Sequence, residues 1–214
     1  MSARPVLTGY RFSVYTRAAR IALAEKGVGF DYVEHDPFAA GAAGPHPFGR
    51  VPVLRHGDFE VYETAAIIGY IDDGFDGPGL MPEGARAVAR VAQVTGMVDA
   101  YGYWPLVRQV YSHAVFRPAV GEAVSVETLA EGLTAAPRVL AALEDVAGEG
   151  LVLNRTMTRA DCLLAPMVAA FTSAPQGAEM LAGYPALSEW WGWVRARESV
   201  RGTEDGLLTG AAGR

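Results

Sequence analysis

The first part of the chain changes its hydrophobic period twice. Residues 5–8 (P-V-L-T) form a short apolar run, and residues 30–35 (F-D-Y-V-E-H) alternate apolar with polar positions, which is typical of strands. Between them, the apolar positions of residues 15–26 recur at helical spacing, with Thr16 as the expected N-cap and Gly27 as the expected stop. The pattern predicts a strand, a helix and a second strand.

The next stretch predicts a hairpin and a helix. Residues 37–49 are rich in Gly and Pro and are expected to form a loop. Two apolar runs, 51–55 (V-P-V-L-R) and 59–62 (F-E-V-Y), flank the turn residues H-G-D, and helical spacing begins at Glu63. Pro52 has no N–H for a sheet ladder, so it is expected at an edge, at a bulge or at the first residue of a strand. The complete order, β-α-β, a connection and then β-β-α, is the thioredoxin-like arrangement.

Beyond this region the sequence shows only helical periods. The segment 74–82 (G-F-D-G-P-G-L-M-P) has the composition of a linker. Four helices are expected, the first of them kinked by Pro105, at roughly residues 83–116, 125–148, 158–174 and 185–198. We therefore expect an α+β thioredoxin-like domain over 1–77, a linker at 78–82 and an all-α domain over 83–214.

Composition and charge narrow the choice of partners. The chain has 214 residues, of which 50% are hydrophobic, and a formal charge of −6, which argues against nucleic acid as a partner. Cys162 is the single cysteine, so no internal disulfide can form, and a reducing cytoplasmic location is expected. The first residues lack the apolar region of a signal peptide. The longest apolar run, Cys162–Phe171, contains Pro166 and is shorter than the ~20 residues that a membrane span requires, so no membrane partner is expected.

Four local motifs, in this order along the chain, resemble those of cytosolic glutathione transferases. They are S-V-Y-T-R-A-A-R-I-A-L-A-E-K-G-V-G-F for the first helix and second strand, G-R-V-P-V-L for the cis-proline segment, E-T-A-A-I-I-G-Y-I for the glutathione-binding helix, and T-R-A-D-C-L-L-A-P for the capping box of the sixth helix. Thr64 stands where the family usually has Ser. The resemblance covers nearly the whole chain and is closest to the bacterial, serine-using type, with the class left open. In the family the capping-box residues, here Thr158 and Asp161, serve folding.

The resemblance implies an enzyme that activates the glutathione thiolate for attack on a hydrophobic electrophile, in detoxifying conjugation or in peroxide reduction. Glutathione would be a co-substrate, no metal would be needed, and the protein would be a homodimer. Two alternatives stay open. One is a non-catalytic binding or scaffold protein with the same fold, and the other is a different low-molecular-weight thiol in place of glutathione.

The resemblance also assigns residues to the binding of glutathione. A cis bond within Val51–Pro52 would turn the Val51 backbone outward to pair with the tripeptide, as in β-augmentation. Thr64, at a helix start, would bind the γ-glutamyl carboxylate, although an ordinary N-cap role is compatible with its position. Glu63 would face the ammonium. Arg50 would bind the glycine carboxylate, with His46 as a weaker candidate.

Three hydroxyl groups compete for the role of donor to the thiolate. Ser13 lies just before the first helix, seven residues ahead of Arg20, which is the family's spacing in several classes. Its alternative role is that of a helix cap. Tyr15 and Tyr10 are the rivals, because other classes use a tyrosine in this region. Arg17 either adds positive charge near the sulfur or is a solvated helix residue.

The stretch Y-G-Y-W-P-L-V-R-Q-V-Y predicts the wall of an acceptor-substrate pocket. Tyr101, Trp104, Arg108 and Tyr111 follow the spacing i, i+3, i+7 and i+10, which places them on one face of a helix. Core packing is the competing interpretation, and it is favoured for Trp104. Tyr15 is expected to line the same pocket if it does not activate the thiol.

Overall fold

The computed structural model describes residues 3–206 and 208, so residues 207 and 209–214 of the predicted helical domain lie outside the described residues. A four-stranded sheet with its helices forms the N-terminal part, and helices form the remainder. This confirms the expected fold class. Among the described residues, no helix has the length and apolar character that crossing a membrane requires.

The sheet has the predicted topology. It contains β1 (Val6–Gly9), β2 (Asp31–Glu34), β3 (Val53–His56) and β4 (Phe59–Tyr62) in the order β2-β1-β3-β4. β1 pairs in parallel with β2 and antiparallel with β3, and β3 pairs antiparallel with β4. Leu7 is paired with Leu54 across the two central strands, and both side chains are fully buried. Pro52 lies just before β3, so it interrupts no ladder.

Helix α1 (Val14–Glu25) begins earlier than predicted because Ser13, not Thr16, is its N-cap. The Ser13 backbone is extended, with φ −81° and ψ 120°, and its Oγ accepts a hydrogen bond of 3.2 Å from the Thr16 N–H. Thr16 is buried in the first turn, where its Oγ1 accepts from the Tyr10 N–H at 3.2 Å. The predicted stop is confirmed, because Gly27 takes φ 68° directly after the helix.

The remaining helices follow the sheet or connect to it in chain order. They are α2 (Thr64–Gly74), α3 (Ala85–Met97), α4 (Arg117–Val120), α5 (Val126–Gly148), α6 (Arg159–Ser173), α7 (Pro175–Leu181), α8 (Pro185–Val194), α9 (Glu198–Arg201) and a 3₁₀ turn (Glu204–Gly206). α7 and α9 were not predicted, because seven and four residues show too few helical periods. The domain division at residues 77, 78–82 and 83 stays a prediction.

The helix that begins as α3 contains two π-helical segments, Val98–Gly102 and Trp104–Phe116, before it continues as α4. The sequence predicted an α-helix kinked at Pro105. Proline has no N–H to donate to the preceding turn, and the chain around it adopts the wider i→i+5 pattern instead. The change in helical period alters which side chains share a face, and this affects the site described below.

Helix α6 forms the centre of the helical part. Its residues from Ala160 to Phe171 are all buried. The predicted capping box is present, since the Thr158 N–H and hydroxyl both donate to Asp161 Oδ2. Trp190 Nε1 donates to the other carboxylate oxygen of Asp161 at 2.6 Å. Cys162 is fully buried, and burial raises the pKa of its thiol well above the usual value, so it is not a nucleophile.

Candidate active site

A cavity of about 800 Å³ lies between the sheet and the π-helical segments, and most of the predicted site residues line it. From the sheet and its helices these are Ser13, Tyr15, His46, Arg50, Val51, Pro52, Glu63 and Thr64. From the π-helical wall they are Trp104, Arg108 and Tyr111. Residues far apart in sequence therefore converge on one space.

Ser13 lies at the positive end of α1, at the edge of this cavity. Its oxygen accepts from the Thr16 N–H, which uses one lone pair and leaves the hydroxyl proton able to donate. The role of helix cap and the role of hydrogen-bond donor to a ligand are therefore compatible. The partial positive charge of the helix terminus favours an anion at this place.

Tyr15 lies near an acidic residue that the sequence gave no reason to select. That residue is Asp99 on the first π-helical segment, and the Tyr15 ring lies 4.9 Å from that of Tyr103. Burial, followed by the negative charge of Asp99, raises the pKa of Tyr15 far above its usual value. A phenol beside this carboxylate is a poor partner for a second anion, because the carboxylate repels another negative charge and competes for the hydroxyl proton.

Tyr10, the third hydroxyl, also lines the cavity. Burial and the nearby charges of Asp36 and Glu34 raise its pKa. Of the three competing hydroxyls, the two phenols are thus less acidic than usual, whereas Ser13 is at a helix N-terminus.

The Val51–Pro52 peptide bond is cis, as expected from the motif. β3 begins only at Val53, so Val51 lies outside the sheet and lines the cavity. Arg50, the preceding residue, is exposed and lines it as well. This corner of the cavity therefore combines main-chain polar groups with one guanidinium.

Glu63 and Thr64 begin α2 at the opposite side of this corner. Thr64 is the first helical residue, and Glu63 is the N-cap with φ 66° and ψ 117°, a left-handed conformation that is strained for a residue other than glycine. The Glu63 carboxylate lies 3.8 Å from His46 Nε2. His46 Nδ1 accepts from the Phe48 N–H at 3.1 Å, which assigns the ring proton to Nε2 when the ring is neutral. A carboxylate and a helix N-terminus are thus adjacent.

Arg17 does not face the cavity, and it is not solvated either. Its guanidinium donates to Thr203 Oγ1 at 3.2 Å and to the Val200 carbonyl at 3.1 Å, and it lies 3.7 Å from Glu204. Burial lowers its pKa to about 10, although Glu204 opposes the shift. The interpretation of Arg17 as a solvated helix residue is wrong, because the segment with Val200, Thr203 and Glu204 folds back over α1 and buries this side chain. The addition of positive charge near the sulfur stays a prediction, and the charge of Arg17 does act on Tyr111 in the cavity wall.

Tyr101 does not line the cavity, in contrast to the sequence-based expectation, and its side chain is 69% exposed. The prediction assumed 3.6 residues per turn, but the π-helical segments bring residues together at intervals of four or five. The side chains that follow this longer interval along the cavity wall are Asp99, Tyr103, Val107, Tyr111 and Phe116. Trp104 lies at the rim, 60% exposed, so core packing is wrong for it.

Within residues 3–206 and 208, no group of three or more His, Cys, Asp or Glu side chains is arranged to hold a metal ion. What the cavity provides is a helix-capping hydroxyl, two helix N-termini, one corner of accessible backbone and an aromatic wall. This combination suits an anionic peptide and an apolar co-substrate.

Comparison with known proteins agrees with this geometry. Residues 7–79 match the profile of the glutathione S-transferase N-terminal domain, and residues 107–198 match that of the C-terminal domain. Glutathione S-transferase F10 of Arabidopsis thaliana is 29% identical over 196 residues, which cover 85% of this chain and 88% of the plant protein. The crystal structure of glutathione transferase F7 from Populus trichocarpa has the same fold, with a TM-score of 0.81 at 22% identity over 95% of this chain and 99% of that one.

A stringent starvation protein A homolog of Coxiella burnetii is 28% identical over 173 residues, which cover 78% of this chain and 77% of that protein. The two matched domain profiles together span most of the chain. The protein therefore belongs to the glutathione S-transferase family.

Proposed function

We propose that this protein activates the thiol of glutathione for attack on a hydrophobic electrophile, with Ser13 as the hydrogen-bond donor to the thiolate. In this proposal Val51 pairs with the peptide backbone, Thr64 and Glu63 bind the γ-glutamyl end, and Arg50 binds the glycine carboxylate. His46, which lines the same cavity, stays the weaker candidate for that carboxylate. We thus propose an active site of the serine-using type. Membership of the bacterial type within the family stays a prediction, because the relatives named above come from both plants and bacteria.

The energy that activation requires matches what this site offers. A free thiol with a pKa of ~8.5 is only ~3% thiolate at pH 7. Lowering that pKa by two units requires ~2.7 kcal/mol of differential stabilisation. A hydrogen bond to a charged group contributes ~1.5–3 kcal/mol. A helix N-terminus contributes ~0.3–1 kcal/mol more.

The observation that carries the proposal is that Ser13 caps α1 in the same cavity as Val51, Glu63 and Thr64. The surroundings of Tyr15 support the choice of Ser13 over its rival, because burial and the negative charge of Asp99 raise the pKa of that phenol. No other chemistry is needed for the thiolate to attack an apolar electrophile in the aromatic part of the cavity.

A pair of hydroxyl deletions tests the proposal with chlorodinitrobenzene as the acceptor. We expect Ser13→Ala to lower kcat/KM about 10- to 100-fold, since a charge-assisted hydrogen bond of ~1.5–3 kcal/mol is lost. The pKa of the bound thiol, followed by ultraviolet absorbance of the thiolate, should rise toward that of free glutathione. Tyr15→Phe is the matched control, and it should leave that pKa unchanged. If Tyr15→Phe raises the thiol pKa and Ser13→Ala does not, the assignment to Ser13 is wrong.

A second candidate function is a non-catalytic binding or scaffold protein with this fold. The match to a stringent starvation protein A homolog favours keeping it, since that relative is not named as a transferase. Calorimetry separates the two functions. If the wild-type protein binds glutathione but neither conjugates aromatic halides nor reduces peroxides, the scaffold function is supported. If another small thiol binds more tightly than glutathione, that thiol is the ligand instead.

We also propose a homodimer in a reducing cytoplasm, which the family membership supports. Light scattering should then report twice the 22.7 kDa mass of one chain. A mass of one chain would refute the dimer.

A further inference from the structure

Arg108 is a cation on the cavity wall. Within the part of the chain that the structure describes, no carboxylate lies within ion-pair distance of its guanidinium, and its recorded contact is with the face of Phe38, 5.9 Å from the ring centroid. Arg20, Arg90 and Arg197, by contrast, each make an ion pair with an acidic side chain. Arg108 is therefore able to bind an anion supplied by a ligand.

The acidic side chains that line the cavity lie at its other side. Glu63 lies beside His46, and Asp99 lies near Tyr15. Arg108 shares the second π-helical segment with His113, whose pKa is lowered by burial, followed by the charges of Arg117 and Arg108. Asp36 and Glu34, whose charges act on Tyr10, do not line the cavity. The lining carboxylates therefore belong to the start of α2 and to the first π-helical segment, whereas the second π-helical segment contributes a cation.

Aromatic rings form the wall between these two regions. Phe12 lies edge-on to Phe116 at 5.4 Å and to Tyr10 at 5.3 Å, and Tyr10 lies edge-on to Phe38 at 6.1 Å. Aromatic pairs in this geometry present ring faces and edges that suit a further flat ring. Ser13 follows directly after Phe12, so a ring bound here would lie close to the proposed sulfur position.

We propose that Arg108 selects aromatic electrophiles that carry a carboxylate. The inference rests on the proposed function, and it names the class of acceptor. The ring packs against Phe12 and Phe116, and the carboxylate is directed toward Arg108 and away from Asp99. In the conjugation of an aryl chloride, the glutathione sulfur forms the new C–S bond, the C–Cl bond breaks, chloride leaves with the electron pair, and the thiol proton passes to solvent.

Two acceptors that differ in charge test the proposal. The kcat/KM values for chlorodinitrobenzoate and for neutral chlorodinitrobenzene, each divided by its uncatalysed rate, give a preference ratio for the anion. We expect this ratio to exceed one in the wild type, to fall at least about tenfold in Arg108→Gln, and to recover in part in Arg108→Lys, which restores the charge without the planar fork. Added salt should reduce the wild-type preference because it screens the charges.

Arg138→Gln is the matched control. Arg138 is exposed on α5 and does not line the cavity, so this variant makes the same change in net charge without touching the site. The preference ratio should be that of the wild type. A ratio that falls as far in Arg138→Gln as in Arg108→Gln would overturn the proposal, because the effect would then come from net charge.

Calorimetry with dinitrobenzoate and neutral dinitrobenzene supplies a readout that needs no turnover. Preferential binding of dinitrobenzoate that is lost in Arg108→Gln supports the anion site. If the protein shows this binding but conjugates neither acceptor, the proposed transferase function is wrong and the anion site is still supported. Equal losses for both ligands in Arg108→Gln, or a wild type that prefers the neutral ligand, would overturn the role of Arg108. The Ser13 experiment would be unaffected.

Discussion

At the scale of single residues, Glu63 combines a strained backbone with the charge that the proposed site needs. Its φ of 66° is outside the regions that residues with a Cβ prefer, a strain of about 1–3 kcal/mol. Its contact with His46, at 3.8 Å, does not offset this, since the Glu63 side chain is 67% exposed and exposed polar pairs contribute little. A position that keeps a strained, exposed carboxylate beside a helix N-terminus is better explained by ligand binding than by folding.

Glycine at position 63 separates these two effects. Because glycine adopts positive φ without strain, Glu63→Gly should raise the free energy of unfolding by up to ~1 kcal/mol, measured by urea denaturation. The same variant should bind glutathione about tenfold more weakly by calorimetry, since the carboxylate that we propose to face the ammonium is lost. Glu63→Gln, which keeps the side chain and removes the charge, should weaken binding without the gain in stability. If Glu63→Gly binds glutathione like the wild type, the ammonium role is wrong.

The sequence predicts those parts of the site that depend on residues adjacent in the chain, and it misses contacts between distant residues. Ser13, Thr64 and the cis bond before Pro52 follow from local motifs, because each depends on a few adjacent residues. Tyr15 of α1 lies near Asp99, which belongs to a helix more than eighty residues later, and no local pattern indicates this proximity. The burial of Arg17 by the C-terminal segment was missed for the same reason.

At the scale of elements, the π-helical wall is fixed in place by a glycine on α5. A Cβ at Gly132 would lie 2.6 Å from the Cβ of Gln109 and 3.1 Å from the Pro105 carbonyl oxygen. Such contacts are possible only because the residue has no side chain. The close approach of α5 therefore determines where the second π-helical segment lies, and with it one wall of the cavity.

Alanine at position 132 should lower both the stability of the protein and the activity of the proposed acceptor pocket. Alanine is favoured over glycine in a helix by ~1 kcal/mol, but overpacking costs typically 1–3 kcal/mol, so Gly132→Ala should lower the free energy of unfolding. It should also lower kcat/KM for the acceptor more than it weakens glutathione binding, because the displaced wall belongs to the proposed acceptor side. Gly96→Ala, on α3 with nothing within 4 Å of the added carbon, is the control and should stabilise the protein. A stabilised Gly132→Ala would show that α5 moves away freely.

The elements themselves were predicted best where a hydrophobic period extends over several turns or strands. The four strands, α1, α2, α5 and α6 were found close to their observed bounds. The helix through Pro105 was found, but its internal period was not, because apolar side chains at positions 101–111 fit an α-helix as well as a π-helix. That ambiguity selected Tyr101 for the pocket in place of Tyr103.

At the scale of the whole molecule, Asp72 joins the sheet part to the helical part. Its Oδ1 accepts from the Leu80 N–H at 2.9 Å and from Lys26 Nζ at 3.4 Å, and its Oδ2 accepts from Arg159 Nε at 2.7 Å. One carboxylate thus connects α1, α2, the segment after α2 and α6. Since the cavity lies between the two parts, this contact helps to fix the position of one cavity wall relative to the other.

Removal of this charge should destabilise the protein in a way that depends on pH. Burial alone would raise the pKa of Asp72, but the Leu80 N–H, Arg159 and Lys26 together hold it below its usual value. A carboxyl with a depressed pKa stabilises the fold above its ordinary pKa, and this stabilisation is lost as the pH falls through the depressed value. We expect Asp72→Asn to lower the free energy of unfolding by roughly 2–4 kcal/mol at pH 7, because a buried charge pair is broken.

The difference in the free energy of unfolding between wild type and Asp72→Asn should shrink as the pH falls below about 4, as measured by urea denaturation at several pH values.

The contribution of Asp161 to stability changes with pH in the opposite direction. Burial raises its pKa to about 6, so its proton favours the folded state and its contribution grows as the pH falls from about 6 toward 4. This effect is common to both proteins and cancels in their difference.

Asp73→Asn is the control for Asp72→Asn. Asp73 shares the partner Arg159, but its side chain is 74% exposed, so the substitution should change stability little at any pH. A constant difference from pH 7 to pH 3 would contradict the role of the Asp72 charge, and would indicate that shape alone holds the two parts together.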